Sequence, residues 1–317
     1  MTLALLFSPQ GSQAVGMGRE LAERSDAARA TFAEADRTLG WSVSGTCWEG
    51  PAERLADTRQ TQPCLLTTSV AAHRALGERV AVQPSVVAGH SVGEYAALVA
   101  AGVVDFGAAL RLVARRGELM AEADTDGGMA AVLGLDRATV EVVIAGVGRP
   151  TELVMANDNA PGQVIISGRL QALEEAEEQM RAAGAKRIVR LPVSGAFHSP
   201  LMAEVVDRLA EAFDGEEWHD AVVPVISNVT AEPLTDAGRI RALLAEQVRS
   251  PVEWVRSVER MAADGVDLAV ECGPGGTLTG MVKRISPDIR TAQVSDVASL
   301  DAAAELLRTG VAAPASA

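Results

Sequence analysis

The turn G-H-S-V-G at positions 89–93 constrains this chain more than any other feature of its sequence. A short apolar run at 86–88 precedes the turn, and an alanine-rich segment follows it. In a G-x-S-x-G turn between a strand and a helix, the glycines let the backbone double back and present the serine at the tip of the strand. The first amides of the helix then face that serine, where an oxyanion would form. The pattern therefore predicts that Ser91 is a nucleophile at the edge of an α/β sheet.

Length and composition are those of a globular protein with a substantial core. The 317 residues are 48% hydrophobic and 22% charged, which is an ordinary balance for a folded protein. The net charge of −14 argues against nucleic acid or an anionic membrane as the main partner, because both require a basic surface. No signal peptide is recognisable at the N-terminus, and no apolar run is long enough to cross a bilayer. We therefore expect a soluble cytoplasmic protein.

The three cysteines indicate neither a disulfide framework nor a metal centre. Cys47, Cys64 and Cys272 are widely spaced, and they lack both a C-x-x-C motif and a nearby pair of histidines. We expect all three to be small buried hydrophobic side chains, and we predict no metal site.

Two further strands are predicted to end in polar loops that contain glycine. The apolar run at 3–7 continues into S-P-Q-G-S-Q at 8–13, and the run at 268–271 continues into a glycine-rich segment at 273–276. Residues 252–263 are predicted to be helical. Because α/β sheets bind ligands at the carboxyl ends of their strands, these loops are candidates for one common site.

The order of predicted elements changes between residues 127 and 196. This segment has the order β-α-β-β-α-β, which is that of a ferredoxin-like unit. We therefore expect an α/β fold with a mostly parallel sheet, in which an α/β-hydrolase-like catalytic domain (1–126 and 197–295) carries an inserted ferredoxin-like subdomain (127–196). Residues 296–317 are predicted to form a C-terminal helix and a disordered tail.

A serine hydroxyl needs a nearby base to react at neutral pH, and histidine is the usual candidate. His198 lies in a glycine-containing loop where the predicted insertion rejoins the main domain, and clefts form at such junctions. Structural roles are favoured for the other three: His73 lies within a predicted helix, His219 in an acidic stretch, and His90 should point away from the nucleophile. His198 is therefore the candidate base.

A helix predicted at 106–123, with Asp105 as its N-cap, contains three arginines, at 111, 115 and 116. If one of them faces inwards, its guanidinium must find an anion. The helical pattern does not distinguish which of the three does so.

Five short motifs occur together in one order: Q-G-S-Q at 10–13, G-H-S-V-G-E at 89–94, R-G at 116–117, F-H at 197–198 and G-P-G at 273–275. In this combination the chain resembles the malonyl-CoA:acyl carrier protein transacylase family, from Leu3 to about Ser295.

The resemblance implies a Ser-His dyad. Ser91 would attack the malonyl thioester, while His198 would take the serine proton and return it to the leaving coenzyme A thiol. In that family a backbone carbonyl orients the histidine, and the matching position here is Gln247. The backbone N–H groups of Gln10 and Val92 would form the oxyanion hole.

The resemblance also implies a substrate and a partner. Arg116, which precedes a glycine as in the family, would bind the free carboxylate of malonyl-CoA through two parallel hydrogen bonds. Phe197, just before the histidine, would favour malonyl over methylmalonyl groups, and Val92 agrees with that choice. The acceptor would be the phosphopantetheine thiol of an acyl carrier protein, and no permanently bound cofactor is expected.

The first loop departs from the family pattern. The first loop of the family reads F-P-G-Q-G-S-Q, whereas Pro9 stands here where glycine is expected, which fixes φ and removes an N–H. An unusual acyl group is therefore one alternative. A thioester hydrolase of the same fold and a non-catalytic module that docks carrier proteins are the others, and the choice between fatty acid and polyketide synthesis stays open.

Overall fold

A computed structural model describes residues 1–123, 126–193 and 195–310. In chain order its strands are β1 (Leu3–Phe7), β2 (Val86–Gly89), β3 (Gly127–Leu133), β4 (Leu153–Ala160), β5 (Gln163–Arg169), β6 (Arg187–Arg190), β7 (Val225–Ile226), β8 (Pro233–Leu234), β9 (Leu268–Cys272) and β10 (Arg290–Val294). Its α-helices are α1 (Arg19–Arg24), α2 (Asp26–Leu39), α3 (Val43–Glu49), α4 (Ala52–Ala56), α5 (Thr58–Arg79), α6 (Gly93–Ala100), α7 (Phe106–Glu122), α8 (Arg137–Val147), α9 (Leu170–Ala182), α10 (Ala203–Phe213), α11 (Ala237–Glu246), α12 (Trp254–Ala263), α13 (Thr277–Ile285) and α14 (Val297–Thr309).

The larger sheet has the strand order β10-β9-β1-β2-β7-β8 and is parallel except for the short β8. Its central strand, β1, is buried along its whole length, as the unbroken apolar sequence L-A-L-L-F predicts for a parallel strand covered on both faces. Leu3, Leu5 and Phe7 face a core that includes residues of α5 and α7. Ala4 and Leu6 face a second core formed with α12 and α13. The sheet therefore lies between two layers of helices.

The smaller sheet is antiparallel and has the order β4-β5-β3-β6. On one face it packs against α8 and α9 through Val132, Ile166 and Leu173, among others. This is the arrangement of a ferredoxin-like unit, so the predicted fold class is confirmed. The exact limits of the two units, 1–126 with 197–295 and 127–196, stay predictions.

Strand β4, at the edge of the smaller sheet, contacts the larger unit through its backbone. Val252 N donates to Ala156 O at 2.8 Å, and Asp158 N donates to Val252 O at 3.1 Å. Residues 252–263 had been expected to be helical from their first residue, but α12 begins only at Trp254 because Val252 pairs with β4. The Arg137 guanidinium also donates to the Glu253 carboxylate at 2.6 Å across this junction.

The C-terminal helix predicted within 296–317 is α14. Asp296 and Ser299 form a capping box at its start, in which each side chain bonds to the other residue's backbone N–H. The disordered tail predicted from 312 to 317 lies outside the described residues. Within the described ranges, no helix has the length and apolar character needed to cross a membrane.

Candidate active site

The turn that carries Ser91 connects β2 to α6 directly. Ser91 has a φ of 53°, in the left-handed region that side chains seldom adopt. A Cβ at Gly93 would lie 2.2 Å from Phe7 O on β1, so only glycine fits there. The Asn228 side chain accepts a hydrogen bond from Ser91 N and donates one to Gly89 O, both at 2.6 Å. These two bonds hold the strained turn closed and offset a cost of about 1–2 kcal/mol.

His198 lies directly against the candidate nucleophile. Its Nε2 is 2.8 Å from Ser91 Oγ. Its Nδ1 lies 2.8 Å from Gln247 O and 3.2 Å from Ser250 O, and since a carbonyl only accepts, Nδ1 must carry the proton. Burial and the nearby Arg116 charge lower the pKa of His198 to about 3. The imidazole is therefore neutral at pH 7, with an unprotonated Nε2 that can accept the serine proton.

Arg116 is the arginine of α7 that faces inwards, with a relative exposure of 1%. Its Nη1 donates to Gln62 Oε1 at 2.7 Å, and its Nη2 donates to Gln247 Oε1 at 2.8 Å and to Ser91 Oγ at 3.1 Å. Burial lowers the pKa of Arg116 from its usual value. The other two arginines of this helix form surface ion pairs instead, Arg111 with Glu216 and Arg115 with Glu118.

The glycine after Arg116 allows two helices to approach closely. A Cβ at Gly117 would lie 2.9 Å from Thr58 O, in the first turn of α5. A side chain there would push α7 away from α5, which carries Gln62. Packing therefore explains why a glycine follows Arg116. The close approach of the two helices lets the Arg116 guanidinium reach the Gln62 side chain.

A second layer of polar groups surrounds Arg116 and Ser91. Gln247 Nε2 donates to Ser91 O at 3.0 Å and to Glu94 Oε2 at 2.7 Å. Burial raises the pKa of Glu94 to about 7, against the opposing effects of the Gln247 and Asn228 hydrogen bonds and of the Arg116 charge. Gln247 thus contacts His198 through its backbone carbonyl, and its side-chain amide bonds to both Arg116 and Glu94.

Two backbone amides near Ser91 have no acceptor. Within the described ranges, the N–H groups of Gln10 and Val92 donate to no protein atom. Free N–H groups beside a nucleophile are what an oxyanion hole requires, so the expected role of both residues stays a prediction with a structural basis.

The loop that carries Gln10 is held at both ends. Ser8 Oγ donates to the buried Glu271 Oε1 at 3.1 Å, and Ser12 Oγ lies 3.0 Å from Thr277 Oγ1. Glu271 Oε2 accepts from Thr279 N at 2.8 Å in the first turn of α13. The loop with Pro9 is therefore fixed by hydrogen bonds to the end of β9 and the start of α13.

These groups open into a cavity of about 220 Å³ between the two sheets. Phe197 lines it and is 4% exposed, and a Cβ at Gly195 would lie 2.7 Å from its ring. Met129 and Ile165, from the face of the smaller sheet that is turned away from α8 and α9, complete the apolar wall. The inserted subdomain therefore forms one side of the cavity.

The four histidines are distributed nearly as expected. His73 packs edge-on against Phe7, and His219 is exposed on the surface. His90 also lines the cavity, and its Nε2 lies 2.8 Å from Asn159 Oδ1 of the smaller unit, not against Ser91. Burial lowers the pKa of His90 to about 4, so this imidazole is neutral too.

The structure brings Ser91, His198, Arg116 and Gln247 into mutual contact and places Phe197 in the same cavity. Three polar residues of this cluster were given no role from the sequence: Gln62, Asn228, and Glu94, which was noted only as the last residue of the motif at 89–94. Asn228 follows β7 at the carboxyl edge of the sheet, and its position after a strand is the feature that could have revealed it.

Comparisons with known proteins point to one family. The model of the acyl transferase domain family matches residues 4–308. The malonyl CoA-acyl carrier protein transacylase of Bacillus subtilis is 44% identical, over 96% of this chain and 97% of that protein. The protein of the same name from Escherichia coli K12 is 42% identical, over 96% and 99% of the two chains.

Solved structures show the same similarity in three dimensions. An acyl carrier protein S-malonyltransferase from Vibrio cholerae superposes with a TM-score of 0.93 at 43% identity, covering 96% of this chain and all of that one. A malonyl-transacylase solved in complex with its type II polyketide synthase acyl carrier protein has a TM-score of 0.93 at 42% identity, covering 96% and 99%. The chain therefore belongs to the acyl transferase family, and within it to the malonyl-CoA:acyl carrier protein transacylases.

Proposed function

We propose that this protein transfers a malonyl group from coenzyme A to the phosphopantetheine thiol of an acyl carrier protein, through an ester on Ser91. One observation carries the proposal: a fully buried guanidinium, that of Arg116, lies 3.1 Å from the hydroxyl of a serine that is also bonded to a neutral histidine. A buried cation beside a nucleophile suits an acyl group that ends in a carboxylate.

In the first half-reaction, Ser91 Oγ attacks the thioester carbonyl as its proton moves to His198 Nε2. The carbonyls of Gln247 and Ser250 hold the imidazole in the tautomer that can accept this proton. The free amides of Gln10 and Val92 would stabilise the oxyanion, at a few kcal/mol per donor. His198 then gives the proton to the departing coenzyme A thiolate, which leaves as the thiol. In the second half-reaction the carrier protein's thiol attacks the ester with the same assistance, and Ser91 regains its proton.

The free carboxylate of the malonyl group would bind Arg116. A guanidinium has five N–H groups. In this structure Gln62 and Gln247 accept two of them, and a third is directed at Ser91 Oγ. Three N–H groups thus stay available to a substrate: the one that faces Ser91, a second on Nη1, and that of Nε, which has no acceptor among the described residues. This is enough for two parallel hydrogen bonds to a carboxylate.

The intact mass of the full chain after incubation with a panel of acyl-CoA thioesters tests this function. Malonyl-CoA is expected to add one malonyl group to the wild-type protein and none to Ser91→Ala, while acetyl-CoA adds little to either. Addition of holo acyl carrier protein should then remove the group from the enzyme and place it on the carrier. A protein that gains no malonyl mass would instead support the non-catalytic docking module.

A thioester hydrolase of the same fold is the second candidate, because it would use the same serine and histidine. Arg116 favours a carboxylated acyl group but does not by itself exclude water as acceptor. Decay of the malonyl ester with and without carrier protein separates the two. A transferase predicts slow decay in buffer and rapid loss to the carrier, whereas a hydrolase predicts equal rates.

We expect Phe197→Ser to relax the choice between extender groups. The ring packs against Gly195 and narrows the cavity, so a serine there would leave room for an α-methyl branch. One methyl group is worth about 10- to 100-fold in such discrimination, and a change of this size toward methylmalonyl-CoA is expected. Competition between the two thioesters, read by mass, checks it. An unchanged ratio would show that the ring serves packing alone.

The cytoplasm is the proposed location of this activity. All three cysteines are buried free thiols, as is usual in a reducing compartment. No permanently bound cofactor is needed for the proposed reaction, since both half-reactions use only side chains, backbone amides and the two thiols. Fatty acid and polyketide synthesis both use such a transfer.

A further inference from the structure

The pocket around Arg116 contains a carboxyl group to which the proposed reaction assigns no step. Glu94, in the first turn of α6, is 4% exposed. Its Oε2 accepts from Gln247 Nε2 at 2.7 Å and, more weakly, from Asn228 N at 3.4 Å. On the other side of the same amide, Gln247 Oε1 accepts from Arg116 Nη2 at 2.8 Å. A single carboxamide therefore connects the buried carboxyl group to the buried guanidinium.

The other groups around Glu94 do not change charge near neutral pH. Arg116 on α7 is a cation, and Gln247 and Asn228 are neutral amides. Burial raises the pKa of the neighbouring Tyr95 phenol above its usual value. His198 and His90 have pKa values of about 3 and about 4, so both are neutral. Glu94, with a pKa of about 7, is the group of this cluster that can gain or lose a proton in the physiological range.

We propose that Glu94 takes up a proton from solution when a malonyl group is loaded onto Ser91. The inference rests on the proposed function, in which the malonyl carboxylate binds Arg116. Before loading, one guanidinium faces one carboxyl group. After loading, two carboxylates would share that guanidinium in a site without bulk water, and like charges so placed favour protonation of one of them. The malonyl group contacts Arg116 directly, whereas Glu94 reaches it only through Gln247, so Glu94 is the one that becomes neutral.

The chemistry of loading itself exchanges no proton with solution. The bond from Ser91 Oγ to the acyl carbon forms as the carbon–sulfur bond breaks. The hydroxyl proton passes through His198 to the sulfur of coenzyme A. The thiol keeps this proton at pH values below its pKa of about 8.5. Any net uptake below that pH therefore comes from the protein.

The direction of the pH dependence follows from linkage. Because the loaded enzyme binds more protons than the free enzyme, the equilibrium constant for loading falls as pH rises above about 7, the pKa of Glu94 in the free enzyme. The fall approaches tenfold per pH unit until the pKa of Glu94 in the loaded enzyme is passed. An acyl group without a carboxylate should show no such dependence.

The experiment measures protons and malonyl groups together. The full chain in weak buffer at pH 7.5 is mixed with malonyl-CoA, proton uptake is followed with a pH indicator, and loading is read by intact mass. Wild-type protein is expected to take up about half a proton or more per malonyl group. Glu94→Gln should take up none, and its loading equilibrium should not vary with pH from 6.5 to 8. Glu271→Gln, which removes another buried carboxyl group away from Arg116, is the matched control and should keep the uptake per malonyl group.

Two results would overturn the inference: full malonyl loading of the wild type without proton uptake, or uptake that persists in Glu94→Gln. The first result needs no variant, so it decides the matter even if Glu94→Gln does not fold. Uptake of equal size per acyl group in the slow reaction with acetyl-CoA would also contradict the inference. Absence of malonyl mass on Ser91 is a different outcome. It would refute the proposed function, and the inference with it.

Discussion

Replacing His198 by alanine is expected to lower the rate of malonyl transfer by about 10²- to 10⁴-fold, the usual contribution of a positioned general base. The physical reason is the hydrogen bond of 2.8 Å between Nε2 and Ser91 Oγ. Without it, no base among the described residues bonds to Ser91 Oγ, since Arg116 is a cation, His90 is directed at Asn159, and the Glu94 carboxyl group bonds to Gln247 instead. Residual activity would come from the free amides and from substrate binding.

Two measurements report this loss of rate. One is the rate of malonyl transfer to acyl carrier protein in a stopped-flow experiment, and the other is the rate at which malonyl mass appears on the enzyme. His219→Ala is the control, because that side chain is 59% exposed and does not line the cavity, and it should behave as the wild type. A His198→Ala protein that keeps a tenth of the wild-type rate, with an unchanged thermal unfolding midpoint, would exclude this histidine as the base.

Replacing Arg116 by lysine is expected to lower kcat/KM for malonyl-CoA by about 10²-fold or more, because a bidentate charge-assisted contact is worth several kcal/mol. Lysine keeps the charge but not the planar fork. The N–H groups of the guanidinium point in fixed directions toward Gln62, Gln247 and the substrate carboxylate, and a single ammonium group cannot donate to all three. The kcat/KM for the slow reaction with acetyl-CoA should not fall by the same factor. The preference for malonyl-CoA over acetyl-CoA should therefore decrease.

Arg115→Lys is the matched control for this prediction. Arg115 precedes Arg116 on the same helix but is 39% exposed and pairs with Glu118 on the surface. Exposed ion pairs contribute little, so we expect wild-type kinetics with both thioesters. Near-normal malonyl loading by Arg116→Lys would refute the bidentate contact, and an equal loss with acetyl-CoA would indicate a general defect of the site.

The sequence predicts most reliably what is encoded locally. The turn around Ser91, the apolar strands and the order of elements in the insertion depend on spacing within a few residues, and the fold class that follows from them is confirmed. The choice of Arg116 came from the family resemblance, because helical periodicity alone left three arginines open. The structure adds a packing reason, the approach of Gly117 to Thr58.

The features that could not be predicted from the sequence depend on contacts between distant segments of the chain. Gln62 and Asn228 are ordinary polar residues in their own segments, and only the assembled sheet brings their side chains to Arg116 and Ser91. The start of α12 was misplaced for the same reason, since Val252 gives up helical geometry to pair with β4. In each case a hydrogen bond between distant segments determines the conformation or the contact, and the local sequence preference does not.

The position of β1 in the larger sheet has a consequence for synthesis on the ribosome. Leu5 pairs with Val87 on one side, a partner that emerges early, but on the other side it pairs with Val270, near the end of the chain. Until β9 has been translated, this wholly apolar strand has one unpaired edge. Such edges promote association between nascent chains. We therefore expect truncated chains that end before β9 to aggregate, and chaperones to protect this edge during translation.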